Sequence, residues 1–368
     1  MKIKRFRAEN FRNITACDIS FSDGVNLLFG KNAQGKTNAV EGIYLFSRGR
    51  SHRTQDDREM IRFGTEGFRV YIEYESLDGE GTLEYACFGR ERLRKKNGYK
   101  LSRVSEMIGS FKSVIFYPDN LELVKGGPEE RRAFLNVALS QCYPSYISDY
   151  SRYKTALENR NSLLKAASKG QYVDSDELVA WSHSMAEYAT EVYLARLEYT
   201  ERLRGHVTAV GLELSGGREK IEISLKSDIE GDIRDRDAVR SLYREIFTSS
   251  LERERAAGTS LYGPHRDDLT VKISGKPARS FASQGQQRSI VLAIKLAEGE
   301  VIRELFGEYP VFLFDDVLSE LDEGRREYVI GGMKDRQVII TSCEGDEALK
   351  YAECVIEVDG GNYVSSHR

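Results

Sequence analysis

Closely spaced cysteines are missing from this chain of 368 residues: Cys17, Cys87, Cys142, Cys343 and Cys354 are scattered, odd in number and without a C-x-x-C spacing. That excludes a disulfide framework and reads as reduced thiols of a cytosolic protein. Nowhere do eighteen apolar residues run together, and no apolar stretch follows the basic start MKIKRFRAENFRN, so neither a membrane span nor a signal peptide is expected. An excess of charge is lacking too. With a formal net charge of −4, any contact with nucleic acid needs a local basic patch and not the field of the whole chain. No internal repeat or low-complexity segment is visible. His265, within GPHRDD, has no histidine or cysteine at ligand spacing, which makes it a connector and not a metal ligand.

What is present suffices for a large core, since 40% of the residues are hydrophobic. From Met1 to about Lys112, β-like runs such as VNLLFG, FRVYIEYESL and GTLEYACF alternate with glycine turns, interrupted by one helix near Gly35. From Pro128 to about Arg255 the pattern becomes helical. Tyr146, Tyr150, Tyr153 and Leu157 form one stripe, and Leu178, Trp181, Met185, Tyr188, Val192, Ala195 and Tyr199 form a longer one at seam spacing. The break KAASKGQYVDSDE between them predicts an antiparallel helical hairpin. The stripe around Trp181 is core and not a base-stacking platform. After Leu261 the β-like runs DLTVKISG, VFLFDD, QVIITS and CVIEVDGG return, and they are expected to share a sheet with the early strands. The expectation is an α/β domain split between residues 1–120 and 259–368, with a mostly helical insertion at 121–258.

GKNAQGKTN, comprising Gly30, Lys31, Asn32, Ala33, Gln34, Gly35, Lys36, Thr37 and Asn38, fits G-x4-G-K-[ST] between a strand and a helix. Glycines let backbone N–H groups turn onto a nucleotide's phosphates, and the helix N-terminus adds its positive end. Lys36 would reach the β and γ phosphates, with Thr37 on Mg2+. A glycine turn that happens to hold Lys and Thr is the bland alternative. The apolar run Val311 to Phe314 ends in two acids. Asp315 is placed to hold Mg2+, and Asp316 to act as general base on an attacking water.

FASQGQQRSIVLAIKLAE opens with a polar turn at the mouth of an apolar helix. Ser283 and the N–H groups near Gly285 make a second anion-binding end, which one chain could not easily bring to the same phosphate but a head-to-tail dimer could. Ser283, Gln284, Gly285 and Gln286 resemble the signature motif of ABC ATPases, and SELD, from Ser319 to Asp322, resembles their D-loop. GKNAQGKTNAVEGIYLFSRGRSHRT, DNLELVKGGPEERRAFL, GPHRDDL, SQGQQRSIVLAIKLAE and FDDVLSELD are similar, in order and over nearly the whole chain, to blocks of the RecF family.

That resemblance implies an SMC-like ABC-type ATPase head carrying the helical insertion. It implies a cytoplasmic bacterial ATPase, using ATP and Mg2+, that dimerises on binding ATP and binds DNA near single-strand/double-strand junctions. It also implies work with RecR and RecO in loading RecA at gaps during recombinational repair, replication and the SOS response. A different class, the ATPase subunit of a nuclease or transporter, is disfavoured by the helical insertion and the family-like blocks. Two departures stand out. No glutamine lies between Lys112 and Lys125 to serve as a Q-loop, and the second acid is aspartate, whose short reach favours slow hydrolysis.

Two basic segments are candidates for DNA. RERLRKKNGYKLSR carries Arg92, Arg94, Lys95, Lys96 and Lys100 around an Asn97-Gly98 hairpin turn and could lie along phosphates; a solvated edge hairpin explains the same residues. SRGRSHR, with Arg48, Arg50, His52 and Arg53, is the second, its alternative being a loop paired with Asp56 and Asp57.

Overall fold

The computed structural model describes residues 1–318, 321–333, 335–343 and 347–367. Its strands are β1 (Lys2–Phe11), β2 (Ile14–Ser20), β3 (Val25–Phe29), β4 (Gly67–Ser76), β5 (Gly79–Phe88), β6 (Glu91–Lys96), β7 (Tyr99–Lys100), β8 (Ser113–Phe116), β9 (Ile221–Lys226), β10 (Asp268–Ile273), β11 (Lys276–Pro277), β12 (Val311–Asp315), β13 (Val338–Ser342), β14 (Cys354–Asp359) and β15 (Asn362–His367). Its α-helices are α1 (Lys36–Arg48), α2 (Glu122–Lys125), α3 (Pro128–Cys142), α4 (Tyr146–Ser168), α5 (Ser175–Leu214), α6 (Arg236–Ser249), α7 (Leu251–Ala257), α8 (Ala278–Phe281), α9 (Gln284–Phe306) and α10 (Glu323–Gly331). Contacts divide the chain into two units: residues 1–121, 209–218 and 283–368, and residues 122–208 and 219–282.

The first unit contains two sheets. One is antiparallel, in the order β2-β1-β4-β5-β6-β7. Its strands alternate: Phe68, Val70, Ile72 and Tyr74 of β4 are buried, while Arg69, Tyr71 and Glu73 between them are not. The other runs β15-β14-β3-β13-β12-β8, parallel except for its β14–β15 hairpin. Here β8, β12 and β13 are buried along their whole length, as parallel strands covered on both faces must be. Ala39, Val40, Ile43 and Phe46 of α1 join Phe6, Phe11, Ile115, Leu313 and Ile339 in one apolar cluster. That cluster fixes the helix after the phosphate loop against the strands that end beside it. The β6–β7 hairpin turns at Asn97 and Gly98, both in the left-handed region at φ 51° and 80°, as the Asn-Gly pair predicts.

The second unit carries α4 and α5 up to Thr208, whereas α9 belongs to the first. In α5, Leu178, Met185, Val192 and Tyr199 are fully buried, and Ala189, Arg196 and Leu203 share that face, whereas Trp181, Tyr188 and Ala195 are half-buried. The stripe read from spacing is therefore rotated slightly, because the buried arginine belongs to the inner face. Two ion pairs with both side chains at 0% exposure stand inside this unit, Arg196 with Asp267 at 2.7 Å and Arg160 with Glu254 at 2.6 Å. His265 links the hydroxyl of Tyr153 through Nδ1 at 2.6 Å with the carbonyl of Ser260 through Nε2 at 3.2 Å.

The expectation that the early and late strands share one sheet is corrected in two ways. Of the early runs only VNLLFG (β3) lies with β12, β13 and β14, while FRVYIEYESL and GTLEYACF (β4 and β5) pair in the antiparallel sheet. DLTVKISG does not join the sheet of β3, β12, β13 and β14; as β10 it pairs from end to end with IEISLK in a separate sheet, β11-β10-β9. Arg131 of α3 holds Asp268 at the start of β10 with bonds of 2.7 and 3.0 Å. Residues 259–282 accordingly group with the helices, and the return to the first unit comes at Ser283.

Candidate active site

β3 runs into a loop whose backbone only particular residues tolerate. Ala33 sits at φ 64° and Gly35 at φ 120°. A Cβ on Gly35 would lie 2.9 Å from the Tyr363 hydroxyl and 3.1 Å from Asn13 Oδ1, so both the angle and the space call for glycine. Three neighbours brace the loop from outside. Asn13 donates to the Ala33 carbonyl at 3.0 Å, Tyr363 donates to that of Gly35 at 3.0 Å, and the N–H of Gly361 donates to that of Gln34 at 3.0 Å. Nothing in the glycine pattern identified Asn13 or Tyr363; they come from the β1–β2 turn and β15, far away in sequence.

Lys36 is buried and its ammonium donates to the carbonyls of Gly30 and Lys31 at 2.6 and 2.8 Å, across the mouth of the loop. Thr37 Oγ1 donates to Asp315 Oδ1 at 2.9 Å, and Thr341 Oγ1 donates to the same oxygen at 3.0 Å. Burial pushes the Asp315 carboxyl above its ordinary pKa, the two threonine hydroxyls pull it back, and the charge of Asp316 adds to the rise. Asp316 has φ 57°. A left-handed aspartate at the end of a buried strand is a local strain of the sort found at working sites, and its N–H is held by Thr341 Oγ1 at 2.9 Å.

These groups surround one cleft of ≈ 390 Å³, lined by Asn13, Asn32, Ala33, Gly35, Lys36, Thr37, Asn38, Arg53, Asp316, Thr341 and Cys343. Thr37 and Asp315 form a pair of hard oxygen donors, the donor set that suits Mg2+. Arg53 enters from the side. Its guanidinium donates to Asn38 Oδ1 at 2.9 Å and to Glu41 at 3.1 Å, and not to Asp56 or Asp57, which instead hold Arg58 and Arg92. Burial alone would raise the pKa of Glu41, but hydrogen bonds from Arg12 and Ser51 and the charges of Arg12 and Arg53 bring it below the usual carboxylate range. Arg53, first considered for DNA, thus stands in the wall of the cleft. Cys343, at the end of β13, was not singled out by any pattern in the sequence.

The glutamine turn is a reciprocal cap. Ser283 Oγ accepts from the N–H of Gln286, and Gln286 Oε1 accepts from the N–H of Ser283 at 2.8 Å. This accounts locally for so polar a helix mouth. Ser283, Gln284, Gly285 and Gln286 are not among the residues lining the cleft. Asp322 caps α10 and holds Arg325 at 2.6 Å; Ser319 lies outside the described residues.

The hairpin cations are mostly engaged within the chain. Arg92 pairs with Asp57 at 2.6 Å, Arg94 lies over the Tyr85 ring at 5.1 Å, Lys95 pairs with Glu84 at 3.0 Å, and Lys96 donates to Ser110 Oγ at 2.9 Å. Lys100 is exposed, and Arg50 donates to Gln55.

Residues 2–362 match the family model described as the RecF/RecN/SMC N terminal domain. The chain is 36% identical over 366 residues to a DNA replication and repair protein RecF of Lacticaseibacillus casei (strain BL23), covering 98% of this chain and 99% of that protein. It is 37% identical over 346 residues to a protein of the same name from Acetivibrio thermocellus, covering 93% of each. Among solved structures, the recombination mediator protein RecF-ATPrS in the RecFOR pathway superposes with a TM-score of 0.92 at 33% identity, covering 99% of this chain and 98% of that one. The corresponding RecF-ATP structure gives a TM-score of 0.91 at 34% identity, covering 100% of this chain and 97% of that one. An SMC head bound to the C-winged helix domain of ScpA shares the fold at 16% identity, with a TM-score of 0.59 and coverage of 100% and 98%.

Proposed function

The chain belongs to the RecF family of ABC-type ATPases, and from that membership and the cleft we propose an ATP-gated DNA-binding protein of recombinational repair and replication. ATP lies in the cleft with its phosphates along residues 30–38. Lys36 neutralises the β and γ phosphates, and Thr37 and Asp315 hold Mg2+, which when bound screens the charge between those phosphates. Asp316 orients an attacking water and accepts its proton. The capped turn at Ser283 serves the γ-phosphate of a second copy, so binding ATP drives a head-to-tail dimer that encloses two nucleotides, with the D-loop at Ser319 and Asp322 crossing between the copies. Slow hydrolysis separates the heads.

In this reading the protein acts in the cytoplasm with RecO and RecR at gapped DNA, preparing it for RecA. Among the described residues no helix is long and apolar enough to cross a membrane. One observation carries the proposal: Lys36, Thr37 and Asp316 line one cleft, with Asp315 bound to Thr37 at 2.9 Å, while the Ser283 turn lines no part of it. A half-site of this kind needs a partner to complete it. Sedimentation with Mg2+ and a non-hydrolysable ATP analogue, and then with gapped DNA added, tests it. The expected results are a monomer without nucleotide, a dimer with the analogue and a heavier complex with DNA. A chain that stays monomeric at saturating analogue overturns the reading.

A further inference from the structure

The hairpin chosen from sequence for DNA spends most of its cations on partners inside the chain, and a different hairpin does the opposite. β10 and β11 are joined through Ser274 and Gly275, at φ 47° and 79°. Between Asp268 and Ala282 there is one carboxylate, that of Asp268, and Arg131 already holds both its oxygens. Lys272, Lys276 and Arg279 are exposed and form no ion pair among the described residues. Glu222, opposite Lys272 in register, is bound to the ammonium of Lys220 at 2.7 Å, and that bond together with the charge of Lys272 holds its carboxyl below the usual range. The Lys276 ammonium stands 5.5 Å from the ring centroid of Phe281, which is 61% exposed.

Such a run of cations in the sequence does not arise from basic composition, since the chain has 58 acidic residues against 54 lysines and arginines. Exposed cations with no ion-pair partner can take up phosphates, and a polyanion that binds them releases its condensed counterions. An exposed aromatic ring beside them offers a face to sugar or base. The register pairs Lys276 with Ile273 and Lys272 with Pro277, so the two lysines leave opposite faces of the hairpin. We propose that its tip and the turn after it form a DNA-backbone contact, with Lys276 and Arg279 on phosphates, Phe281 packed beside Lys276, and Lys272 reaching a phosphate from the other face. This rests on the DNA-binding reading above and moves the contact from the β6–β7 hairpin to the second unit.

The test is a salt titration of binding to fluorescent gapped duplex by the full chain with Mg2+ and a non-hydrolysable ATP analogue. The triple variant Lys272→Gln, Lys276→Gln, Arg279→Gln is expected to bind more weakly and to flatten the log–log salt slope by about 3; Lys276→Gln alone flattens it by about 1. Nucleotide affinity and the thermal midpoint should match wild type, because these side chains are exposed. An unchanged slope in the triple variant, with wild type binding normally, overturns this site and leaves the cations to an acidic protein surface. Wild-type protein that binds no DNA overturns the wider reading, and this site with it.

Discussion

The hydroxyl of Thr37 lies 2.9 Å from Asp315 Oδ1, joining the first turn of α1 to the end of β12 across 278 positions of sequence. The parallel sheet makes this meeting possible: β3 and β12 flank β13, so the loop after the one and the acids after the other emerge at the same edge. Ligands of open α/β sheets bind at this carboxyl edge.

On the proposed role of Thr37, removing that hydroxyl should separate metal binding from phosphate binding. Thr37→Ala should weaken the affinity for a fluorescent ATP analogue by about tenfold or more in the presence of Mg2+, in line with the loss of groups around a metal. In EDTA the variant and wild type should bind alike. Equal loss in both conditions would mean that Thr37 serves the loop and not the metal.

Asp316→Asn keeps the shape of the side chain and removes its basicity. Turnover should fall by about 10²- to 10⁴-fold, the usual contribution of a positioned base, while nucleotide binding is retained and the ATP-bound dimer lives longer. Single-turnover hydrolysis alongside sedimentation reads both quantities. Turnover within threefold of wild type would assign the proton to another group.

The two halves of the cleft were legible in sequence because each is a contiguous string whose backbone does the work: glycines for a left-handed loop, and an apolar run ending in acids for a buried parallel strand. Asn13, Tyr363, Arg53 and Cys343 were not legible in that way, since each reaches the loop or cleft from another segment and no local pattern marks it. The same limit explains β10. Its alternation reads as a strand, but pairing with β9 instead of β12 is a tertiary choice, made partly by Arg131 reaching Asp268. Charge runs show the same limit: Lys95 and Lys96 look free in sequence, while their partners Glu84 and Ser110 come from other segments.

Arg160 and Glu254 are both at 0% exposure, and the guanidinium also donates to Ser182 and Ser260 at 2.9 and 2.7 Å. Removing one member of a buried pair strands the other charge, which costs about 3–5 kcal/mol. Arg160→Met should destabilise the second unit by that amount in urea unfolding. Arg160→Met with Glu254→Gln should recover part of it, since the orphaned charge is then gone. A double variant no more stable than Arg160→Met would show that packing, and not the stranded carboxylate, sets the cost.

His265 makes the second unit sensitive to acid. Burial lowers its pKa to about 4, with the Ser260 carbonyl acting in the other direction and the charges of Arg266 and Arg132 adding to the fall. The unfolded value is about 6.5. Between those two values the unfolded chain holds a proton that the folded chain refuses. The stability this neutral histidine contributes is therefore complete above about pH 6.5 and is lost as pH falls toward 4. From pH 7 to pH 5 the loss is about 2 kcal/mol. Trp181, the single tryptophan of the chain, reports on this unit, so urea unfolding followed by its fluorescence reads the effect locally. His265→Gln should narrow the gap in stability between pH 7 and pH 5 by about 2 kcal/mol relative to wild type. His52, which burial also lowers to about 4, lies in the first unit and remains in the variant, so any acid sensitivity it causes should persist there. An undiminished gap at Trp181 would mean that His265 takes up its proton without opening the fold around Tyr153.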